Sequence, residues 1–341
     1  MMKDIISVTR FNEITSKFNS IDPIVVVGDV GIDKYTFGEV RRISPEAPVP
    51  VLEVTKEWLK LGLAANISHN LRTLGVKSTL CGVVGDDSNA NVFDNLLEDE
   101  KLNTWGIVRT KSRPTIFKER VTTNTQQICR IDYESSEYID EETEQKILLR
   151  MDEFVKNHQA LIIEDYAKGT LTKSLIASLI SKFKSNGRLV AVDPGRSTPP
   201  LFYKGATLLK PNLSEAKIMV ESLGYKEKKL ENIAKILIEK LDLQMLVITL
   251  GAEGMALIDT KIQSELKIIP TVANEVFDVS GAGDTAISVL TSALLSGATL
   301  EEAAWIGNCA SGVVVGKKGT ATVNLEELNS FFLQLVTKLK I

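Results

Sequence analysis

The stretch Phe277–Leu290, FDVSGAGDTAISVL, decides how the rest of the chain is read. Its Gly281-Ala282-Gly283-Asp284-Thr285-Ala286 fits the G-x-G-x-x-[G/A] of a dinucleotide-binding turn, yet places an aspartate in the first turn of the helix that follows. A dinucleotide fingerprint sits after an apolar strand near the start of a βαβ unit, with an acidic residue on a second strand about 20 positions on. Here the motif lies near the C-terminal end of the sequence, and two helix-like segments, DTAISVLTSALLSG and LEEAAWIGNCASGVVVG, follow with no clear strand between them. The dehydrogenase reading fails on context. A Walker loop fails as well, because GVVVGKKG has the wrong glycine spacing and no Ser or Thr after its lysine. What remains is an anion site: glycines at 281 and 283 free backbone N–H groups at a helix N-terminus, where the dipole favours negative charge. Asp284 sets a carboxylate beside it. Donors for a transferring phosphoryl group next to an acceptor for an alcohol proton are what phosphoryl transfer needs. The competing reading makes Asp284 a plain acid of the first helical turn.

Upstream of this motif the chain alternates strand and helix. IVVVGDV from Ile24 reads as a buried parallel strand, and similar runs recur at KSTLCGVVG, ALIIEDY, RLVAVDP, ATLLKPN and QMLVITLG, separated by segments such as ANISHNLRTLG and LTKSLIASLISKFKSNG. This rhythm predicts an α/β fold, a doubly wound and mostly parallel sheet flanked by helices, with ligands at the carboxyl ends of the strands. KYTFGEVRRISPEAPVPVLEV and RPTIFKERVTTNTQQICRIDYE break the rhythm with polar–apolar alternation and turn residues. They predict pairs of antiparallel strands, roughly 34–56 and 113–134, forming a small β-sheet lid inserted in one domain spanning 1–341. Phe11, Ile14 and Phe18 are spaced as a short amphipathic helix rather than a signal peptide.

The 341 residues are 44% hydrophobic, enough for a large core, and carry a formal net charge of −4. That balance argues against nucleic acid or an anionic membrane as partner, and no stretch reaches the roughly 18 apolar residues of a membrane span. Cys81, Cys129 and Cys309 are far apart in apolar runs and read as reduced, structural thiols of a cytoplasmic protein. His69 and His158 form no Cys/His cluster of metal-ligand spacing.

Taken together, these motifs resemble the ribokinase-like (phosphofructokinase-B type) carbohydrate kinases over nearly the whole chain. The resemblance implies that Gly281, Ala282 and Gly283 form an anion hole and that Asp284 is the catalytic base. KPNLSE resembles the family's N-x-x-E element, which implies that Asn212 and Glu215 organise Mg²⁺ and phosphate largely through water. TLGAEG resembles the loop along the ATP phosphates, giving Thr249, Gly251 and Gly254 as nucleotide residues, and Asn308 looks like part of the adenine-side helix. GDVGID and LGLAAN resemble the sugar-binding turns, which makes Asp33 and Asn66 ligands for substrate hydroxyls. ATP as co-substrate, Mg²⁺, a monovalent cation such as K⁺ and a homodimer through the lid are implied with them.

RRISPEAPVPVLEV, QQICRIDYE, EDYAKG, GATLLKPNLSE and VVVGKKGTATV look most like the D-glycero-β-D-manno-heptose 7-phosphate kinase subfamily. That implies transfer to the anomeric O1, giving the 1,7-bisphosphate on the route to ADP-heptose and the lipopolysaccharide inner core. Arg42, Arg130 and Lys168, cations inside these segments, are then candidate ligands for the 7-phosphate. Because no H-x-G-H motif surrounds either histidine, the expectation is a kinase without the nucleotidyltransferase of bifunctional relatives. Two positions depart from the subfamily: Leu63 stands where a second glycine is usual, and Asp193-Pro194-Gly195-Arg196 replaces Asp-Pro-Lys. Another phosphosugar kinase, of the fructose- or tagatose-phosphate type, and a catalytically silent scaffold remain the competing readings.

Overall fold

The computed structural model describes residues 6–273, 277–317, 319 and 321–339. Lys318 and Thr320 of the VVVGKKGTATV stretch lie outside the described residues. In chain order the strands are β1 (Ile24–Gly28), β2 (Val30–Ile43), β3 (Pro50–Leu63), β4 (Ser78–Gly85), β5 (Ile107–Thr110), β6 (Ile116–Thr122), β7 (Gln127–Tyr133), β8 (Ala160–Glu164), β9 (Leu189–Asp193), β10 (Leu208–Leu209), β11 (Met245–Thr249), β12 (Met255–Asp259) and β13 (Gln263–Ile269). The helices are α1 (Val8–Thr15), α2 (Ala64–Thr73), α3 (Ser88–Asp99), α4 (Glu141–Asn157), α5 (Lys173–Ser185), α6 (Leu213–Ser222), α7 (Leu230–Leu241), α8 (Ala282–Leu295), α9 (Leu300–Val315) and α10 (Leu325–Leu339).

Nine strands form the main sheet in the order β13-β12-β11-β10-β9-β8-β1-β4-β5. It is parallel from β11 to β5 and closes with antiparallel β12 and β13 at one edge. The period-2 alternation of side chains divides the core in two. Val26, Ile162 and Leu208 point to one face, where Ile67, Leu71, Ile287, Ile306 and Phe332 cover them. Val25, Val27, Leu161 and Ile163 point to the other, against Met151, Leu175, Leu179 and Leu237. Helices on both faces of a mostly parallel sheet are the predicted architecture. Phe11, Ile14 and Phe18 are buried as the amphipathic spacing requires, and Phe11 stacks on Phe332 of α10 with ring centroids 3.9 Å apart.

The second sheet has the order β3-β2-β6-β7, with β2–β3 and β6–β7 antiparallel and β2–β6 parallel. β2 begins one residue after β1 and β3 ends where α2 begins, so this sheet grows out of the main one through Asp29 and Leu63. The sequence reading missed β5, β12 and β13. It also took all three cysteines as embedded in apolar surroundings: Cys81 and Cys309 are buried, with thiols pushed up to about 12 by burial, whereas Cys129 is exposed. Its strand β7 is the edge of a sheet open to solvent, where alternation does not guarantee cover.

Candidate active site

The carboxyl ends of β8, β9 and β10 converge on the N-terminus of α8. Gly281 caps that helix with φ +81°, a left-handed conformation that glycine adopts without a Cβ penalty. Gly283 and Asp284 follow in the first turn, where backbone N–H groups have no intrahelical acceptor; the Ala282 N–H donates to the Val279 carbonyl at 3.2 Å. An ideal Cβ on Gly283 would lie 3.5 Å from Lys210 Nζ and 3.7 Å from Asp193 Oδ2. Glycine there lets the helix end approach a buried ion pair, Lys210 Nζ to Asp193 Oδ2 at 2.6 Å, with the lysine side chain only 3% exposed.

Asp284 is 6% exposed. Its Oδ2 accepts a hydrogen bond from Asn66 Nδ2 at 2.6 Å and its Oδ1 accepts one from the Tyr166 hydroxyl at 3.2 Å. Burial raises the carboxyl to about 6; the Asn66 bond opposes the rise, Asp193 adds to it, and Lys210 and Tyr166 oppose it. Oxygens of Glu164, Asp193 and Asp284 all lie within 4.8 Å of one another. Glu164, the last residue of β8, is held well above the usual carboxylate range by burial and then by the charge of Asp193, and its Oε2 has no hydrogen-bond partner. The buried Glu164 and Asp284 and the partly buried Asp193 around one lysine form a hard-oxygen set, which fits Mg²⁺.

Asn212 caps α6 in a capping box: its Oδ1 accepts from Glu215 N at 2.9 Å, and Glu215 Oε2 accepts from Asn212 N at 2.8 Å. Burial and then nearby Asp193 raise the Glu215 carboxyl, against the backbone bond that lowers it. A lone parallel bridge joins Asn212 to Thr249 at the end of β11. Gly251 has φ +60° and Gly254 φ +103°, and a Cβ at 254 would lie 2.0 Å from the Ile269 carbonyl oxygen. Asn308 on α9 is buried and donates from Nδ2 to the Pro270 carbonyl at 2.7 Å, immediately beyond Ile269. The positions expected on the nucleotide side are thus joined pairwise, Asn212 to Thr249 and, through the Ile269–Pro270 segment, Gly254 to Asn308.

On the lid side, Asp33 is buried and accepts a hydrogen bond from Arg120 Nη1 at 2.6 Å. Lys168 pairs through Nζ with Glu134 and Arg130 pairs with Asp132 at 2.8 Å. Arg42 is exposed, opposite Val51 and nine residues further along β2 than Asp33, about 30 Å of strand. The structure does not bring Arg42 to the others.

Several residues escaped the sequence reading. Asp29, fully buried, accepts from the backbone N–H of Tyr166 (3.2 Å), Lys168 (3.0 Å) and Thr170 (3.1 Å), holding the loop that presents Tyr166 to Asp284. Tyr166 stands in EDYAKG, beside the Lys168 already singled out, and Lys210 in KPNLSE. A charged residue flush with the end of an apolar strand was the available signal for Lys210, Glu164 and Asp193. Arg120 gave none, since its place depends on the pairing of β6 with β2.

A model of the pfkB family of carbohydrate kinases matches residues 24–328. The chain belongs to that family. It is 42% identical over 308 residues to the bifunctional protein HldE of Nitratiruptor sp. and 40% identical over 307 residues to that of Haemophilus influenzae. Each match covers 90% of this chain, and the chain spans 64% and 63% of the respective relatives. Among solved structures, Arabidopsis thaliana ribokinase complexed with ribose and ATP superposes with a TM-score of 0.68 at 19% identity, covering 93% of this chain and 99% of that one. Escherichia coli phosphofructokinase-2 in complex with potassium gives 0.73 at 17%, covering 92% and 99%. The fold of this pfkB family member is therefore ribokinase-like. None of its described helices is long and apolar enough to cross a membrane.

Proposed function

We propose that the protein uses ATP to phosphorylate the anomeric O1 of D-glycero-β-D-manno-heptose 7-phosphate, giving the 1,7-bisphosphate that ADP-heptose synthesis consumes. The observation that carries this reading is Asp284: a buried carboxylate raised to about 6, in the first turn of a helix whose N-terminus adjoins Lys210. The identity to HldE proteins over 90% of the chain supports the choice of sugar.

Asn66 and Tyr166 hold Asp284 so that one carboxylate oxygen accepts the proton of the sugar O1. Asp33 and Asn66 bind sugar hydroxyls with short side chains that lose little conformational entropy. The N–H groups of Gly281 and Gly283 and the Lys210 ammonium face the transferring phosphoryl group, where they offset its charge without reorganising, while the Ala282 N–H stays on the Val279 carbonyl. Thr249, Gly251 and Gly254 line the polyphosphate and Asn308 the adenine side. Mg²⁺, when bound by Glu215 with Asn212 and the Glu164–Asp193 carboxylates, neutralises charge on the ATP phosphates. A monovalent cation such as K⁺ and a cytoplasmic setting belong to the same proposal. So does a homodimer through the lid, for which Leu59, Ile131 and Tyr133, exposed on one face of the sheet, offer apolar contacts around the ion-paired Lys34 and Glu119.

The test is a panel of free and phosphorylated sugars with ATP and Mg²⁺, with product NMR. Phosphate appearing at the anomeric carbon of the heptose is the expected outcome. Preferred turnover of fructose- or tagatose-phosphates, or no turnover of any sugar, overturns the assignment.

A further inference from the structure

Asp284 is followed by Thr285, a buried residue whose hydroxyl leaves its own helix. Further along α8, Ser288, Ser292 and Ser296 each turn the hydroxyl back to the carbonyl four residues earlier, at 2.7, 2.7 and 2.9 Å. Thr285 instead donates across to Asn70 Oδ1 of α2 at 2.9 Å. Asn70 is fully buried, and its Nδ2 donates to the Asn66 carbonyl, also at 2.9 Å. Chemistry dictates the orientation of that amide. The Asn66 carbonyl can only accept, so Asn70 turns its NH₂ there and leaves Oδ1 for a hydroxyl that must donate.

With the bond from Asn66 Nδ2 to Asp284 Oδ2, these contacts close a ring: from Asn66 to Asp284, one step of chain to Thr285, across to Asn70 and back to Asn66. All four residues are buried. One hydrogen bond between two helices acts as a pivot, whereas a second, about one helical turn further along α2, fixes the rotation of that helix against α8. The two helices come from different sides of the site. α2 follows directly from the lid strand β3 and carries Asn66, and α8 carries Gly283 and Asp284 in its first turn.

We propose that Asn70 and Thr285 are positioning residues of the transfer step: both are fully buried and act through their neighbours, holding Asn66 and Asp284 in the register in which the base meets the sugar hydroxyl. This rests on the kinase reading above and adds to it the pair that aligns the sugar side of the site with the phosphoryl side. Displacing a reacting group by about 1 Å costs on the order of 10² in rate, so a bond remote from the reacting atoms can govern kcat. The nucleotide-side positions Thr249, Gly254 and Asn308 belong to β11, the turn before β12 and α9, and lie outside the ring.

The experiment measures the steady-state kinetics of Thr285→Val, which keeps the shape of the side chain and removes its donor, beside Thr285→Ser, which keeps the donor and removes the methyl group. At a temperature where circular dichroism shows both variants folded, Thr285→Val is expected to lower kcat roughly 10- to 100-fold with KM for ATP unchanged, and Thr285→Ser to retain most of the wild-type rate. If Thr285→Val does not fold, Asn70→Leu combined with Thr285→Val removes both partners, leaves no unpaired Oδ1 and carries the test with the same expected loss. A folded Thr285→Val with wild-type kcat, or a Thr285→Ser as impaired as the valine variant, overturns the proposal and leaves the pair a role in packing alone. If the wild type phosphorylates another sugar, the assigned substrate is wrong, and the same comparison on that sugar decides the positioning role. A wild type that phosphorylates no sugar overturns the kinase reading and the proposal with it.

Discussion

Burial and ionisation compete at Asp284, and the competition yields two measurable consequences. In the proposed role of base it must be ionised, so kcat is expected to fall with decreasing pH through about 6. Asp284→Asn removes the acceptor and is expected to lower kcat by about 10² to 10⁴ with ATP affinity retained, as single-turnover kinetics and nucleotide titration would record. The folded-state value lies above the unfolded one, so the wild type binds its proton more tightly when folded and loses stability as pH rises from about 4 to 6. The same substitution is therefore expected to stabilise the protein at pH 8 by on the order of 3 kcal/mol, with the advantage narrowing towards pH 5 in denaturant titrations. Tyr166 tests the other side of the balance. Its hydrogen bond lowers the Asp284 carboxyl, so Tyr166→Phe should move the acid limb of the kcat profile to higher pH; an unmoved limb would leave Tyr166 as packing. The two departures from the subfamily pattern also resolve at this scale. Leu63 sits at φ +59°, ψ −139°, a region that favours glycine, and its buried side chain offsets that strain. A side chain at Gly195 would lie 2.8 Å from Asp165 and Thr198, and Lys210 supplies the cation at Asp193.

The loop between β8 and α5 shows what one buried acid does for an element. Ala167 has φ +54° and Gly169 φ +87°, a conformation held by the three N–H groups that Asp29 gathers. Asp29→Ala leaves those donors in a buried site, at a cost of about 1 to 3 kcal/mol for each left unsatisfied. Chemical denaturation should register a loss of at least that size for one donor, and kcat should fall as Tyr166 loses its place; a loss confined to stability would separate the loop from catalysis. The elements legible in the sequence were those whose signal is local. ALIIEDY and QMLVITLG announce buried strands through continuous apolar runs, and even the two-residue β10 was found, because LLKPN pairs an apolar step with a turn. β12 carries such a run of its own, MALID, which was passed over, whereas β13, QSELKII at the antiparallel edge, has only a short apolar end. On the candidate site, Gly281–Asp284 and Asn212–Glu215 were legible because each is one turn of chain. The Asp29 clamp, the Lys210–Asp193 pair and Arg120 on Asp33 join residues far apart in sequence, and no local pattern encodes them.

At the scale of the molecule, charge is divided between two surfaces of one cleft. The strand ends under α8 hold Glu164, Asp193 and Asp284 around Lys210, and the lid strands carry Lys60, Lys118, Arg120 and Arg130 in the rows of Asp33 and Asp132. The lid has a second role in the proposed dimer. Leu59→Lys combined with Ile131→Lys replaces two exposed apolar side chains on one face of the lid with charges and should convert a dimer to a monomer in sedimentation velocity; an unchanged sedimentation coefficient would place the interface elsewhere. The contact of Phe11 with Phe332 carries a consequence for how the protein opens. The two rings are separated by roughly 300 residues of chain, and closing a flexible loop of that length costs about 5 kcal/mol in entropy. Such a contact forms only when the intervening sheet already holds the two ends together. Amide protons of α1, although near the start of the sequence, should therefore exchange with solvent only as fast as the whole domain unfolds, in place of the rapid fraying usual for a terminal helix.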